Sequence, residues 1–325
     1  MIDKFGRKVN YLRLSVTDRC DLRCNYCMPK KNSNLYPKSE ILSLDDLKRI
    51  TKILIKLGIK KIRVTGGEPL IRKDISQFLE FISSLKHLGL EEVLITTNGT
   101  QLKKYAKKIS DLGINKINVS LDSLSSKKFK FLTNGGNLTD VLNGIYEAKK
   151  HKLDIKINTV LLKDFNENEI LKMVKWCADN DFKQTFIEVM PVGKLDFQRS
   201  NQFLPVSSAK EKIKKALGLD PICFKTNGPS RYYKTKKLNN VIGFISPLTN
   251  NFCSTCNRIR ITSNGILYPC LGDNGSKNLT QILKFDDQKL SEKIRHIVFN
   301  KPEKHFFTVD DKTYINNRYM NTTGG

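Results

Sequence analysis

Cys20, Cys24 and Cys27 fall within the segment Ser15-Val-Thr-Asp-Arg-Cys-Asp-Leu-Arg-Cys-Asn-Tyr-Cys-Met-Pro29, with three residues between the first two cysteines and two between the last two. Three thiolates on one short loop can hold three corners of a four-iron four-sulfur cube and leave the fourth iron open to a substrate. An open iron implies chemistry rather than electron storage alone. The alternative is a zinc knuckle or three unrelated buried thiols. Zinc normally takes four ligands, and no Cys or His lies between Cys27 and His87.

A second group, Cys253, Cys256 and Cys270, has two and then thirteen residues between its members. As a zinc site it lacks a fourth ligand of obvious spacing unless folding recruits Cys223, His296 or His305. A second cube with an open iron fits the group better. Cys177 and Cys223 stand alone and read as core or half-buried thiols. Just beyond Cys256 come Arg258 and Arg260, whose alternation in an extended segment puts both side chains on one face, a forked anion site beside the second triad. No Gly-x-x-x-x-Gly-Lys-Ser/Thr loop exists in the chain, so a triphosphate would have to be gripped by side chains. Arg13, Arg63 and Lys156 are further candidates, each on a predicted strand. A charged strand residue can simply face solvent, but in a helix-covered parallel sheet only the barrel interior or an edge is wet.

The elements that must position these residues alternate from residue 11 to about residue 190. Strands are predicted at 11–16, 61–65, 93–96, 116–120, 155–160 and 185–189. The first crossover helix has Leu44, Leu47, Ile50, Ile53, Leu54 and Leu57 on one face, with a start signal in Ser43 and Asp46 and a stop at Gly58. Further helices are predicted at 75–88, 102–112, 138–150, 170–180 and 207–217. Six strands joined by helical crossovers predict a parallel sheet with right-handed connections, open or curled into part of a barrel. Gly66-Gly-Glu-Pro69 follows the second strand, Thr96-Thr-Asn-Gly99 the third, and Ser120-Leu-Asp122 closes the fourth. The carboxyl ends of parallel strands share one rim, where ligands bind, and the first cysteine loop follows strand one onto that rim. These could be ordinary turn residues, but three such segments around one cysteine loop predict a site. After about residue 195 the alternation stops, and 221–240 reads as loop-rich. The expected division is 1–240 for the barrel and 241–325 for a region carrying the second triad and a tail.

With 325 residues, eight cysteines and no long apolar run, the chain reads as a cytoplasmic protein with reduced thiols and no membrane segment. Its net charge of +25 is spread over nearly every predicted helix. A solvated basic surface accounts for it better than nucleic-acid binding does, although it favours a polyanionic substrate.

The first triad, with Tyr26 directly before its last cysteine, resembles the signature of the radical S-adenosylmethionine (SAM) enzymes. Taken with Gly-Gly-Glu-Pro, Thr-Thr-Asn-Gly, the run Cys253-Ser-Thr-Cys-Asn-Arg-Ile-Arg260 and the terminal Gly324-Gly325, the whole chain resembles the GTP 3′,8-cyclase family of molybdenum cofactor biosynthesis. The resemblance implies an incomplete (βα)6 parallel barrel of the radical SAM type with a C-terminal extension carrying a second cluster. It implies two 4Fe-4S clusters, one on Cys20, Cys24 and Cys27 and one on Cys253, Cys256 and Cys270. It also implies SAM contacts at Tyr26, Gly67, Ser120 and Met190, and GTP contacts at Arg13, Arg63, Thr96, Lys156, Arg258 and Arg260. The tail at Gly324 and Gly325 would enter the active site. A reduced cluster would cleave SAM, and the resulting radical would take the C3′ hydrogen of GTP before the ribose closes onto C8. A reductant such as a flavodoxin or ferredoxin and hand-off to a cyclic pyranopterin monophosphate synthase follow from the same resemblance, and a homodimer is open. Two departures stand out: Thr185 where the family usually has Arg, and Thr323 where it usually has Ile. A radical SAM enzyme acting on a peptide or tRNA, and a zinc-stabilised nucleic-acid-binding protein, are the competing readings.

Overall fold

The computed structural model describes residues 1–28, 35–193, 199–224, 226, 228–308 and 318–324. Gly325 of the expected tail lies outside them. The six predicted strands are present as β1 (Tyr11–Ser15), β2 (Lys61–Thr65), β3 (Glu92–Thr97), β4 (Lys116–Ser120), β5 (Asp154–Leu161) and β6 (Lys183–Glu188). They are followed by β7 (Leu219–Pro221), β8 (Arg231–Thr235), β9 (Val241–Ile245), β10 (Arg258–Ile261), β11 (Ile266–Tyr268) and β12 (Lys277–Asn278). All lie in one sheet, in the order β12-β11-β10-β1-β2-β3-β4-β5-β6-β9-β8-β7. From β10 through β1–β6 to β9 every pairing is parallel, and the outer pairings are antiparallel. The sheet is therefore an unclosed α/β barrel whose six sequential strands are extended at each side by a strand from late in the chain.

Local chemistry explains the elements. Ser43 caps the helix Leu44–Lys56 through a reciprocal box: its hydroxyl accepts from the Asp46 amide at 3.1 Å, and the Asp46 carboxylate accepts from the Ser43 amide at 3.3 Å. The helix ends at Gly58, whose φ of 98° is the left-handed conformation that lets the chain turn into β2. Along each inner strand apolar and polar residues alternate. Leu12, Leu14, Ile62, Val64, Ile117 and Val119 point outward into one core with Leu47, Ile50 and Leu54 of that first helix. Tyr11, Arg13, Lys61, Arg63, Asn118 and Ser120, on the other face, line a cavity of about 630 Å³. A fully buried parallel sheet would be apolar on both faces. This one has a polar inner face because the interior is wet.

The expected loop-rich stretch at 221–240 is corrected in part. Residues Arg231–Thr235 form β8, and Leu219–Pro221 begins the same edge; such short antiparallel edge strands are set by backbone pairing to β9, not by a periodic pattern long enough to read. The helix predicted at 75–88 ends at Ser84 and tightens into a 3-10 turn over Leu85–Leu88. A short helix at Ser126–Leu132 and a longer one at Asp287–Phe299 were not anticipated. The sheet continues across residues 240 and 241, since β9 pairs with β6.

Phe244 on β9 is buried between Phe186, with ring centroids 6.0 Å apart, and Tyr233, at 5.5 Å. Phe244→Ala is expected to cost about 3–5 kcal/mol. Urea unfolding followed by the fluorescence of Trp176, the single tryptophan, on the barrel helix Ile170–Asp179, checks this. A Trp176 transition that kept its wild-type midpoint would show that β9 unfolds separately from the barrel.

Candidate functional site

The first cysteine loop leaves the carboxyl end of β1 and is seated on the turns that follow β2 and β3. The amide of Gly67 donates to the Thr17 carbonyl at 2.7 Å and that of Glu68 to the Arg19 carbonyl at 2.8 Å. The approach is so close that a Cβ on Gly67 would lie 2.1 Å from the Arg19 oxygen. Glu68 is fully buried and joins the two turns. Its carboxylate accepts from the Thr97 hydroxyl at 2.8 Å and the Asn98 amide at 2.6 Å, and burial pushes its pKa up to about 7. Asn98 in turn donates to Asp21 at 2.7 Å and to the Cys20 sulfur at 3.6 Å, while Thr100 and Gln101 also donate to Asp21. The motifs that sequence spacing placed on one rim are thus a single hydrogen-bonded seat.

Burial raises the Cys20 thiol to about 12 and pushes Cys24 well above its usual value, with the other thiols and nearby carboxylates adding to the effect. In the second triad burial likewise raises Cys270, but Cys256 goes the other way. Burial alone would raise Cys256, but the Lys301 ammonium, the Arg258 guanidinium and a backbone hydrogen bond bring it down to about 7. The position of the second triad is opposite to that of the first. Cys253–Thr255 forms a 3-10 turn just before β10, and Cys270 follows β11, which runs back antiparallel to β10. Because β10 is parallel to β1, the second triad lies at the amino-terminal rim and the first at the carboxyl-terminal rim, a strand length of roughly 13–17 Å apart. Both triads line the same cavity.

Cations stand on the wall between them. Strand register sets Arg260 beside Arg13 and Arg13 beside Arg63 in one row, with Arg258, Tyr11 and Lys61 in the row nearer the second triad. Arg63 is held by the Tyr11 hydroxyl at 2.7 Å, the Ile95 carbonyl at 3.3 Å and the Thr96 hydroxyl at 3.1 Å. Burial, followed by repulsion from Arg258, lowers Arg260 to about 10, and burial with repulsion from Arg260 lowers Arg13 well below its ordinary value. Like charges so placed favour an anion between them. Arg258 packs over the Phe252 ring at 4.8 Å. Across the barrel, Lys156 donates to the Tyr232 hydroxyl at 2.7 Å.

Tyr26, Gly67, Ser120 and Met190 line the cavity on the side of the first triad. The Tyr26 hydroxyl donates to Asp122 at 2.7 Å, which fixes the ring; burial raises that carboxyl to about 6. Thr185 sits level with Asn158 and Gly243, fully buried, with a hydroxyl that finds no hydrogen-bond partner. Residues Met320–Thr323 form a short buried helix, and Gly324 packs against Thr65. The Asn321 amide reaches the Asp18 carbonyl at 2.9 Å, and Arg260 donates to the carbonyls of Thr323 and Gly324. Of the alternative zinc ligands, Cys223 is exposed, which also corrects its expected core or half-buried placement. His296 sits on an exposed helix face, and His305 is hydrogen-bonded to the Pro247 carbonyl at 3.0 Å. Sequence reasoning missed Asp21, Tyr11, Lys61 and Lys301. Lys61 was findable, since it shares the inward parity of Arg63.

The donor sets suit two cubes. All six cysteines are free thiols, and each triad opens on the large cavity. Among the described residues no group of three or more Cys, His, Asp or Glu side chains closes around a point as a single ion requires. N–H donors already face sulfur, from the Leu22 amide at 3.4 Å and Asn98 at 3.6 Å, as iron–sulfur ligands usually show. No helix among the described residues is long and apolar enough to cross a membrane.

Residues 14–177 match the family model of the Radical SAM superfamily and residues 182–307 that of Molybdenum Cofactor Synthesis C. The chain is similar to the GTP 3′,8-cyclase of Brucella ovis, with 43% identity over 330 aligned positions that cover 100% of this chain and 96% of that protein. The GTP 3′,8-cyclase of Brucella abortus strain 2308 gives the same identity and coverage. Among solved structures, Streptococcus suis SuiB bound to S-adenosylmethionine superposes with a TM-score of 0.63 at 19% identity, covering 91% of this chain. The chain spans 64% of SuiB, and the likeness is one of fold.

The seat of the first triad has a direct test in Gly67→Ala. The added methyl must displace the Arg19 carbonyl and with it the cysteine loop. About half of the iron should be lost, since one of two cubes loses its support, while the second triad keeps its share. Iron per chain after anaerobic reconstitution checks this, and full iron content would show that the contact is dispensable.

Proposed function

The chain belongs to the GTP 3′,8-cyclase family, and from that membership we propose that it converts GTP and SAM, with a reductant, into 3′,8-cyclo-7,8-dihydro-GTP, 5′-deoxyadenosine and methionine. This is the first step of molybdenum cofactor biosynthesis. The observation that carries the reading on this chain's own residues is the cationic wall that joins the two cysteine triads.

Cys20, Cys24 and Cys27 would hold one 4Fe-4S cluster and Cys253, Cys256 and Cys270 the other. When bound, the first cluster and SAM supply one-electron cleavage chemistry that no side chain of the protein can perform. The protein's part is positioning. Tyr26, oriented by Asp122, together with Gly67, Ser120 and Met190, forms the SAM side of the cavity. Arg13, Arg260 and Arg258 grip the triphosphate, with Arg63, Thr96 and Lys156 completing the wall. The two triads stand at opposite rims, so a nucleotide lying along the wall can present its base to the second and its ribose toward the first. The buried residues of the tail cover the cavity beside the reacting ribose and limit its access to bulk water. The buried row of guanidiniums supports a triphosphate rather than a neutral ligand, because each member loses repulsion when an anion binds. Residues 1–240 act as the radical SAM partial barrel and 241–325 as the auxiliary-cluster region. The reductant is a flavodoxin or ferredoxin, the product passes to a cyclic pyranopterin monophosphate synthase, and the protein works in the cytoplasm, with a homodimer compatible with all of this. Family membership is what supports these last assignments.

Cys24→Ser is expected to abolish SAM cleavage, whereas Cys256→Ser should retain uncoupled 5′-deoxyadenosine formation and lose the GTP-derived product. Product mass spectrometry after anaerobic incubation with SAM, dithionite and GTP decides, and normal cleavage by Cys24→Ser overturns the assignment.

Arg260→Ala should weaken GTP binding by about 1.5–3 kcal/mol, the size of a lost charge-assisted contact, and leave guanosine affinity within about twofold. Arg260→Lys should recover part of the loss, since a point charge cannot reproduce the guanidinium fork. Anaerobic titration calorimetry with both ligands provides the measurement. Equal losses for GTP and guanosine would place the damage at the second triad rather than at a phosphate grip.

A further inference from the structure

Lys301 is a buried ammonium with no acidic partner among the described residues. Its side chain is 1% exposed, and its Nζ donates to the Arg258 carbonyl at 3.0 Å and to the Pro269 carbonyl. Among the described residues it makes no ion pair with any carboxylate. Burying an unpaired charge is costly, and two carbonyls offset only part of that cost. An anion must therefore lie nearby in the working protein. The bonds show where: Arg258 is two residues past Cys256, Pro269 directly precedes Cys270, and Lys301 lines the cavity onto which these cysteines open.

The neighbouring cation behaves differently. Arg7 also braces the second triad, donating to the Cys253 carbonyl at 2.9 Å, the Glu303 carbonyl at 2.7 Å and the Pro302 carbonyl at 2.6 Å, but it carries its own counter-ion in Asp3 at 2.6 Å. Arg7 is a neutralised brace. Lys301 leaves a net positive charge fixed between the segments that follow Cys256 and precede Cys270. Resting on the reading of Cys253, Cys256 and Cys270 as ligands of a second 4Fe-4S cluster, we propose that Lys301 is the built-in counter-charge of that cluster and favours its reduced form. A 4Fe-4S core held by three thiolates becomes more negative by one charge on reduction, and a fixed ammonium stabilises that added charge. Lys301 is thus a positioning and tuning residue that touches neither reacting atom.

The test uses the full chain in a Cys24→Ser background, so that only the second cluster contributes to iron content and to the EPR signal. This parent should hold about four irons. A parent without iron ends the reading of the triad itself, and the inference with it, before any Lys301 variant is made. Lys301→Gln keeps a donor for the carbonyls and removes the charge, while Lys301→Arg keeps the charge. In an anaerobic dithionite titration followed by EPR, Lys301→Gln should be harder to reduce by about tenfold in the reduction equilibrium, ~59 mV for a one-electron couple. Lys301→Arg should stay within about twofold of the parent. Loss of iron in Lys301→Gln but not in Lys301→Arg would support the same conclusion by showing that charge is required for ligation. Full iron with an unshifted midpoint in Lys301→Gln, or equal iron loss in both variants, would overturn it and leave Lys301 as a carbonyl brace.

Discussion

Positive charge buried inside the barrel is the constraint to which the remaining features answer. Arg13, Arg63 and Arg260 stand side by side on three adjacent strands, and Arg258 lies one row below. Such a set repels itself in any medium of low dielectric constant. The protein tolerates it by keeping the inner face wet and by giving Arg63 three oxygen partners. It also lends the carbonyls of Thr323 and Gly324 to Arg260. Tail placement is thereby tied to the same guanidinium that lines the cavity. The outward face of the same strands is free to be apolar and supplies the stability that the inner face does not.

The two cysteine triads are supported by unlike means. The first is seated by backbone contact and a buried carboxylate, with acidic groups around it. The second is enclosed by cations and carbonyls drawn from both ends of the chain, Arg7 from the start and Lys301 from after the last long helix. Surrounding charge tunes an iron–sulfur centre, and an acidic or cationic surround shifts it in opposite directions. The fold therefore builds two electrostatically distinct sites from the same ligand type, at opposite ends of one cavity.

Thr185 is a buried polar residue that the fold leaves without a hydrogen-bond partner. Its hydroxyl is buried without a partner, and the Asn158 side-chain oxygen beside it is likewise unsatisfied. The small side chain lies against Gly243 on β9, where a Cβ would meet its oxygen at 2.9 Å.

Much of the site was legible because its elements are short-range. Cysteine spacing is a local property, and the inward parity of Arg13, Arg63, Lys156, Arg258 and Arg260 follows from the period of two in an extended chain. The capping box at Ser43 and the parallel barrel itself are equally local signals, repeated along the chain. Tertiary structure alone decided which distant segments meet. That β10 lies beside β1, so that the second triad faces the first across a strand length, depends on a pairing between residues 247 apart. Lys301 carries no motif, since its partners are backbone carbonyls, which every residue has and no sequence pattern marks. The seat of Gly67 on Arg19 is of the same kind: the glycine is visible in the sequence, but the oxygen that requires it is placed only by the fold.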